Sequence, residues 1–597
     1  MAERPARTDR GSPAGAAFAV ALIALPVWIG SAALDDARAT TPDTPADYVQ
    51  SLSGSYLAAR VAQSSRDLGN ASVFFQKALE ADPDNLDLLE RAFSLTLADG
   101  DFEKAIEFAE TLIEANRQNR FARLTLGVKA MKERSFAGAS GQFNRILEGA
   151  PSELTASLLA GWALLGANKT DEALALIDSL KGPEWYEVFK TFHGGMIADL
   201  AGQKETAKQR LAAAHELDSG AMRIVEAYAR SLARNDEADA AKKVLSDFIE
   251  QFPNHPMPQI RQGLADLAAG ITPAPLVRSA QEGAGEVLYG LGSAIGTNQN
   301  GADELAATYL HLALYLDPKA DRTRLALGSL YEQMEKYERA VSLFGAVSPD
   351  SLLKRNAEIR TGLNYNQLDQ LDEARSHLRA LVDSDPSDLE AVRALGSVLR
   401  EHKKFKDAAE VYTLGIDSLG EPIPGHWWLY YVRGIAFERT DQWPKAEADF
   451  LKALELEPDQ PLVLNYLGYS WVDMGMRLDE ALGMLHKAVE QRPTDGYIVD
   501  SLGWVFYKLG QYEKAVKELE RAVELKPDDP IINDHLGDAY WKVGRKLEAT
   551  FQWSHARDMD PEPEELKKIL RKIEVGLETA TTDRAEAPEE DEDTTSQ

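Results

Sequence analysis

Between Gly496 and Pro561 the chain repeats itself. Leu502-Gly503, Phe506, Gly510, Ala515, Leu519, Ala522 and Pro527 return 34 residues later as Leu536-Gly537, Tyr540, Gly544, Ala549, Trp553, Ala556 and Pro561. A period of this length, with small residues at fixed offsets and large apolar residues between them, marks a two-helix unit stacked on copies of itself. One such unit cannot bury its own apolar face, so the stack is the smallest thing that folds. The 597 residues, which would otherwise suggest several globular domains, then describe a linear array.

The alanine that opens each second helix tracks the register. Ala71, Ala105, Ala139, Ala173, Ala207 and Ala241 keep the 34-residue step, which gives an array of six repeats over 51–254. Gly263 arrives on schedule in a helix expected from Met257 to Ala269, but Gly270-Ile-Thr-Pro-Ala-Pro275 then breaks the pattern. Residues 255–285 are expected to form a degenerate or truncated repeat with a short second helix and a kink in the stack. Ala306, Ala340, Ala374 and Ala408 resume the step, and Ala446, Ala481, Ala515 and Ala549 continue it after an insertion around Gly420 to His426, for eight repeats over 286–561. Residues 562–578 read as an amphipathic capping helix carrying Leu566, Ile569, Leu570 and Ile573, and 579–597 as an acidic disordered tail.

Leu-Gly, an aromatic residue, two alanines and a proline at these offsets make the chain resemble the tetratricopeptide-repeat (TPR) family. The resemblance implies an all-α, right-handed superhelical solenoid of helix-turn-helix repeats whose first helices line a concave groove that binds protein or peptide ligands. Carried over residue by residue, the groove offsets select two regions. Phe121, Leu124, Val128, Met131, Leu158, Trp162, Phe189, Phe192 and Met196 would form an apolar trough in the first array, either open to an apolar partner segment or packed on itself. Tyr431, Asn465, Tyr469, Asp500, Trp504, Tyr507, Asp534, Asp538 and Trp541 would form an aromatic and acidic groove near the end of the second, suited to a peptide with basic and apolar groups.

At the N-terminus, Arg4, Arg7 and Arg10 precede an uncharged run from Gly11 to Leu34, and Ala37-Arg38-Ala39 follows as a small-residue cleavage site. Residues 1–39 are therefore expected to be a signal peptide or, uncleaved, an N-terminal membrane anchor, with 40–50 as a linker and the repeats exported in both cases. The formal charge of −31 disfavours nucleic acid as a partner, since that affinity comes from Lys and Arg neutralising phosphates. The absence of cysteine removes thiol nucleophiles and Cys-ligated zinc, and the ten histidines stand in no metal-ligand spacing. Gly290-Leu-Gly292-Ser-Ala-Ile-Gly296 lacks the spacing and the preceding strand of a phosphate loop and fits the small-residue face of a repeat helix.

These features predict no enzyme, cofactor or metal. By resemblance to long exported TPR proteins of Gram-negative bacteria, the expected role is a scaffold or adaptor in the cell envelope, periplasmic or anchored to the inner membrane with its repeats facing the periplasm. Outer-membrane biogenesis and polysaccharide export are the tasks so implied. The alternatives are a holdase-like periplasmic chaperone using the apolar trough, and a regulatory subunit of a glycosyltransferase or polysaccharide synthase complex.

Overall fold

The computed structural model describes residues 51–149, 153–253, 257–297 and 302–577, and its described residues are a succession of thirty α-helices with one short helical turn at Pro424–His426. The segments expected as leader or anchor (1–39), linker (40–50) and acidic tail (579–597) lie outside the described residues. Among the described residues no helix is long and apolar enough to cross a membrane.

Each hairpin is set by local chemistry that the period carries along the chain. Asp67 and Asp101 accept hydrogen bonds from the backbone N–H groups of Asn70 and Lys104, 3.1 and 3.2 Å away, and so cap second helices whose first N–H groups have no intrahelical partner. The turn inside a hairpin needs a left-handed residue, which Gly510 and Gly544 supply without the steric cost borne by Arg66 or Lys403. The Leu-Gly glycine lets the two helices close: a Cβ on Gly127 would stand 2.3 Å from the Phe143 ring, and one on Gly537 would stand 2.5 Å from the Trp553 indole. A side chain at either position would force the hairpin apart.

Six hairpins run from Leu52–Ser64 to Ala238–Gln251. The next unit has a first helix, Pro258–Ala268, and no second. The short second helix expected there is replaced by an extended stretch through Pro273 and Pro275, because two prolines within three residues remove the N–H groups that a helix would need. The long helix that follows, Ala280–Thr297, crosses the expected boundary at 286 and belongs to the next hairpin, with Asp303–Leu316.

That hairpin turns back into the first array. Ala280–Thr297 packs against Leu154–Gly166 and Tyr186–Leu200, and Asp303–Leu316 packs against Leu86–Asp99 and Arg120–Lys132. One continuous core consequently includes Ala59, Trp162, Leu288, Leu310 and Ala357, while Val225, Leu245, Phe248, Ile260 and Leu267 form a small separate core at the elbow. Seven more hairpins follow, from Asp321–Gln333 to Lys546–Asp558. The capping helix Pro563–Val575 closes the last of them through the buried Ile569.

Candidate binding grooves

The apolar trough of the first array is built as its offsets imply, and the chain fills it. Leu124, Val128, Met131, Leu158, Trp162, Phe192 and Met196 are all buried, and the half-buried Phe121 and Phe189 pack against the same core. Helices Ala280–Thr297 and Asp303–Leu316 supply the cover. Gly283 sits so close to Trp162 that a Cβ there would stand 2.3 Å from the ring, and Gly100 lies equally tight against His311. The Trp162 indole donates to His193 Nδ1 at 3.3 Å, and burial pushes the His193 imidazole down to about 4 against the weaker pull of Glu286. An open trough is therefore corrected to an internal interface: the interrupted repeat redirects the chain, and burying this much apolar surface favours closure over exposure to water.

Polar contacts fix the register of this closure. Gln63 donates to Glu304 at 3.2 Å and Arg66 pairs with Asp303 at 3.3 Å at one end. At the other, Arg223 grips Glu286 with both arms of its guanidinium, at 2.7 and 2.6 Å. Between them the Thr155 and Tyr309 hydroxyls lie 3.3 Å apart, and Lys132 donates to the Leu316 carbonyl at 3.1 Å.

The second groove is covered only at its far end. The Asp500 carboxylate accepts from His535 Nδ1 at 3.0 Å, the His535 ring stacks on Trp504 at 3.9 Å, and Trp504 stacks on Tyr507 at 4.6 Å. Lys572 of the capping helix reaches down between Asp534 and Asp538, with its ammonium 2.6 and 2.8 Å from their carboxylates. Asp538 also accepts from the Trp553 indole at 3.0 Å, and Gly576 presses against Trp541. Asp500, Trp504, Asp534 and Asp538 are consequently buried, at 5, 8, 7 and 4% exposure. They do not face a ligand directly, because His535 of the last hairpin takes up Asp500 and Trp504, and Lys572 of the capping helix takes up Asp534 and Asp538.

The charges at this end act on one another. Burial raises the Asp538 carboxyl to about 6, with Lys572 opposing and Asp534 assisting. Burial works against the charged forms of His535 and Lys572, yet the neighbouring carboxylates prevail and both are raised. Neither His535 nor Lys572 was anticipated from the groove offsets. The signal for them is the accumulation of Asp500, Asp534 and Asp538 on one concave face, a charge that folding can bury only with cations among it.

Earlier in this groove Tyr431, Asn465 and Tyr469 stay half-buried, as do Tyr507 and Trp541 at its covered end. Tyr431 meets Tyr466 edge-on at 6.0 Å, and Tyr466 donates to Glu438 at 3.0 Å. Burial, then the charges of Asp500, Asp473 and Glu565, push the Tyr469 hydroxyl up, while burial carries Tyr431 up to about 12. The Asn465 side-chain oxygen and the Trp504 and Trp541 indole N–H groups are buried without a hydrogen-bond partner. Among the described residues no cluster of three His, Cys, Asp or Glu side chains could hold a metal ion.

Comparison with known proteins adds a family. Models described as TPR repeat or tetratricopeptide repeat match residues 53–85, 124–185, 227–255, 323–350, 359–418 and 503–544. The TPR repeat-containing protein PA4667 of Pseudomonas aeruginosa is 25% identical over 201 residues, which cover 33% of this chain and 32% of that protein. The BBSome complex member BBS4 of Bos taurus is 26% identical over 212 residues, 35% of this chain and 39% of that protein. The matches thus span between about a third and two fifths of these relatives. Among solved structures, the APC/C hetero-tetramer Cut9-Hcn1 aligns with 88% of this chain and 96% of its own at 14% identity and a TM-score of 0.36. Yeast Tom70 aligns with 89% and 96% at 13% identity and a TM-score of 0.28.

Proposed function

We propose that this chain, which belongs to the tetratricopeptide-repeat family, is a non-catalytic scaffold that holds a cationic, partly apolar segment of a partner protein along Tyr431, Asn465, Tyr469 and Tyr507. The observation that carries this is Lys572, an ammonium seated between Asp534 and Asp538 of the same groove. A groove that binds its own lysine in this way offers the neighbouring strip, where Asp500, Asp473 and Glu565 outweigh Arg439 at the Tyr469 hydroxyl, to cations of a partner. The half-buried tyrosines supply contact area at small cost in side-chain entropy. The holdase alternative loses its basis, since the trough it requires is filled by the chain itself.

Fluorescence anisotropy with matched peptides tests the site. Peptides that alternate lysine with aromatic residues should bind the full chain, weaken with salt, and weaken about tenfold on Tyr469→Ala. Equal binding of the glutamate-substituted peptides, or indifference to Tyr469→Ala, would remove the proposal.

We further place this scaffold in the envelope of a Gram-negative bacterium, serving outer-membrane or polysaccharide-export assembly. Support comes from Arg4, Arg7 and Arg10 ahead of an uncharged run. Residues 1–50 fused to a reporter that is active only after export should give activity, and a silent fusion would contradict the placement.

A further inference from the structure

The interrupted repeat leaves a place in the stack that a second helix would otherwise fill. Two adjoining cavities occupy it, of about 390 and 420 Å³, and Arg230 and Ala274 line both. The volume is in the range of small-ligand sites. Charged groups dominate one cavity, and the other sets Ala229, Leu245, Leu267, Pro273 and Leu352 beside Glu226, Gln262 and Asp266.

The guanidinium groups of the two linings are not engaged alike. Arg223 is committed to Glu286 and Glu226, and Arg322 to Glu226 at 3.3 Å. Of the other carboxylates in the two linings, Glu282 pairs with Arg278 and Asp321 with Arg324, while Asp266 accepts from the Gln262 amide and Asp317 from the Lys319 backbone N–H. Arg223 and Arg322 thus take up Glu226 and Glu286. Among the described residues Arg230 has no carboxylate within ion-pair distance, and its one hydrogen bond goes to the Ala274 carbonyl at 3.3 Å. Burial and the charges of Arg223 and Arg322 work against its charged form, with Glu226 and Asp266 opposing. A guanidinium carries five donors in a planar fork that matches a carboxylate with two parallel hydrogen bonds, so most of the capacity of Arg230 is unused.

We propose that Arg230 receives the carboxylate of a ligand whose apolar group enters the cavity walled by Leu245, Leu267 and Leu352. Two sources carry that chemistry, the C-terminal residue of a polypeptide and a free aliphatic acid. The site stands apart from the tyrosine groove of the second array and does not depend on what that groove binds.

Ligand-observed NMR on the full chain separates the possibilities, with N-acetyl-leucine, N-acetyl-leucinamide and octanoate as probes. At least one of the acids should bind, and the amide, which lacks the charge, should bind about tenfold more weakly than N-acetyl-leucine or not at all. Arg230→Met should abolish binding of the acids. Leu352→Asp places a like charge at the mouth of the cavity, on an exposed residue whose replacement leaves the core intact, and should weaken binding about tenfold. Binding of octanoate alone assigns the free acid, and binding of N-acetyl-leucine alone assigns a polypeptide terminus. Equal binding of N-acetyl-leucine and its amide, wild-type binding by either folded variant, or no binding of either acid at millimolar concentration would overturn the proposal.

Discussion

The two concave faces of this molecule are lined by the same repeat offsets and have opposite fates. In the first array the face is apolar and lies under helices Ala280–Thr297 and Asp303–Leu316, which follow it in the chain by 84 to 195 residues. In the second array the face is aromatic and acidic, and only its last two units are covered, by the capping helix and Lys572. The offset rule decides which side chains point inward; the character of those side chains and the path of the chain decide whether anything else can reach them. An apolar groove beside a broken repeat becomes core, whereas a charged one stays partly hydrated because burying each further carboxylate requires another cation.

The largest perturbation should come from Trp162→Ala. Removing a fully buried indole at the centre of the closed face is expected to cost about 3–5 kcal/mol, and hydrogen exchange should rise across 280–316 as well as in Leu154–Gly166. A rise confined to Leu154–Gly166 would mean that the two arrays are not coupled there. Lys572→Met attacks the other face. It strands Asp534 and Asp538 and is expected to cost about 3 kcal/mol at pH 8, seen as faster exchange in Pro530–Lys542 and Pro563–Val575 with the first array unchanged. The cost should shrink near pH 5, where Asp538 can take a proton.

Acidification from pH 7 to 5 should move the faces in opposite directions. The folded-state value of His193, about 4, lies below the ordinary 6.5, so its contribution is present above pH 6.5 and is lost as the pH falls toward 4, with about 2 kcal/mol of the loss falling between pH 7 and 5. Asp538 is raised from 3.8 to about 6, so its contribution is present below 3.8 and is lost as the pH rises through 6. His535 is raised above 6.5 and contributes in the same sense, with stability present at low pH and lost as its own value is passed. Exchange should therefore quicken around Leu154–Gly166 and slow around Pro530–Lys542, and parallel changes would refute the electrostatic contrast. The smallest effect belongs to Tyr469→Ala, which should take about 1–2 kcal/mol from binding of a cationic peptide and leave the thermal midpoint nearly unchanged.

The fold class was legible because each hairpin is decided locally. Gly127 against Phe143 and Gly537 against Trp553 are contacts within one unit, sixteen positions apart, and the 34-residue period displays them openly. The break at Gly270 to Pro275 was also visible, but its consequence was not, since a missing second helix fixes that the stack changes course and leaves open where it goes. Trp162 and Gly283 are 121 positions apart in sequence, and no periodicity relates them. A trace of the partnership does exist: Ala280–Thr297 carries glycines at 283 and 292 that face Trp162 and Leu310 respectively, more small residues than one hairpin contact requires. For the second groove, the offsets placed the aspartates correctly on the concave side, and what they lacked was the reach of Lys572 from the capping helix.

Since the chain contains no cysteine, a pair of introduced thiols reports directly on whether the first concave face is closed by the chain's own helices. Gln63→Cys and Glu304→Cys together place thiols on side chains that touch across the two arrays. Treated with a short bismaleimide at low protein concentration, the double variant should become cross-linked within single chains nearly to completion, with neither single variant affected. Unlinked thiols, or links formed only between chains, would show that the trough stands open.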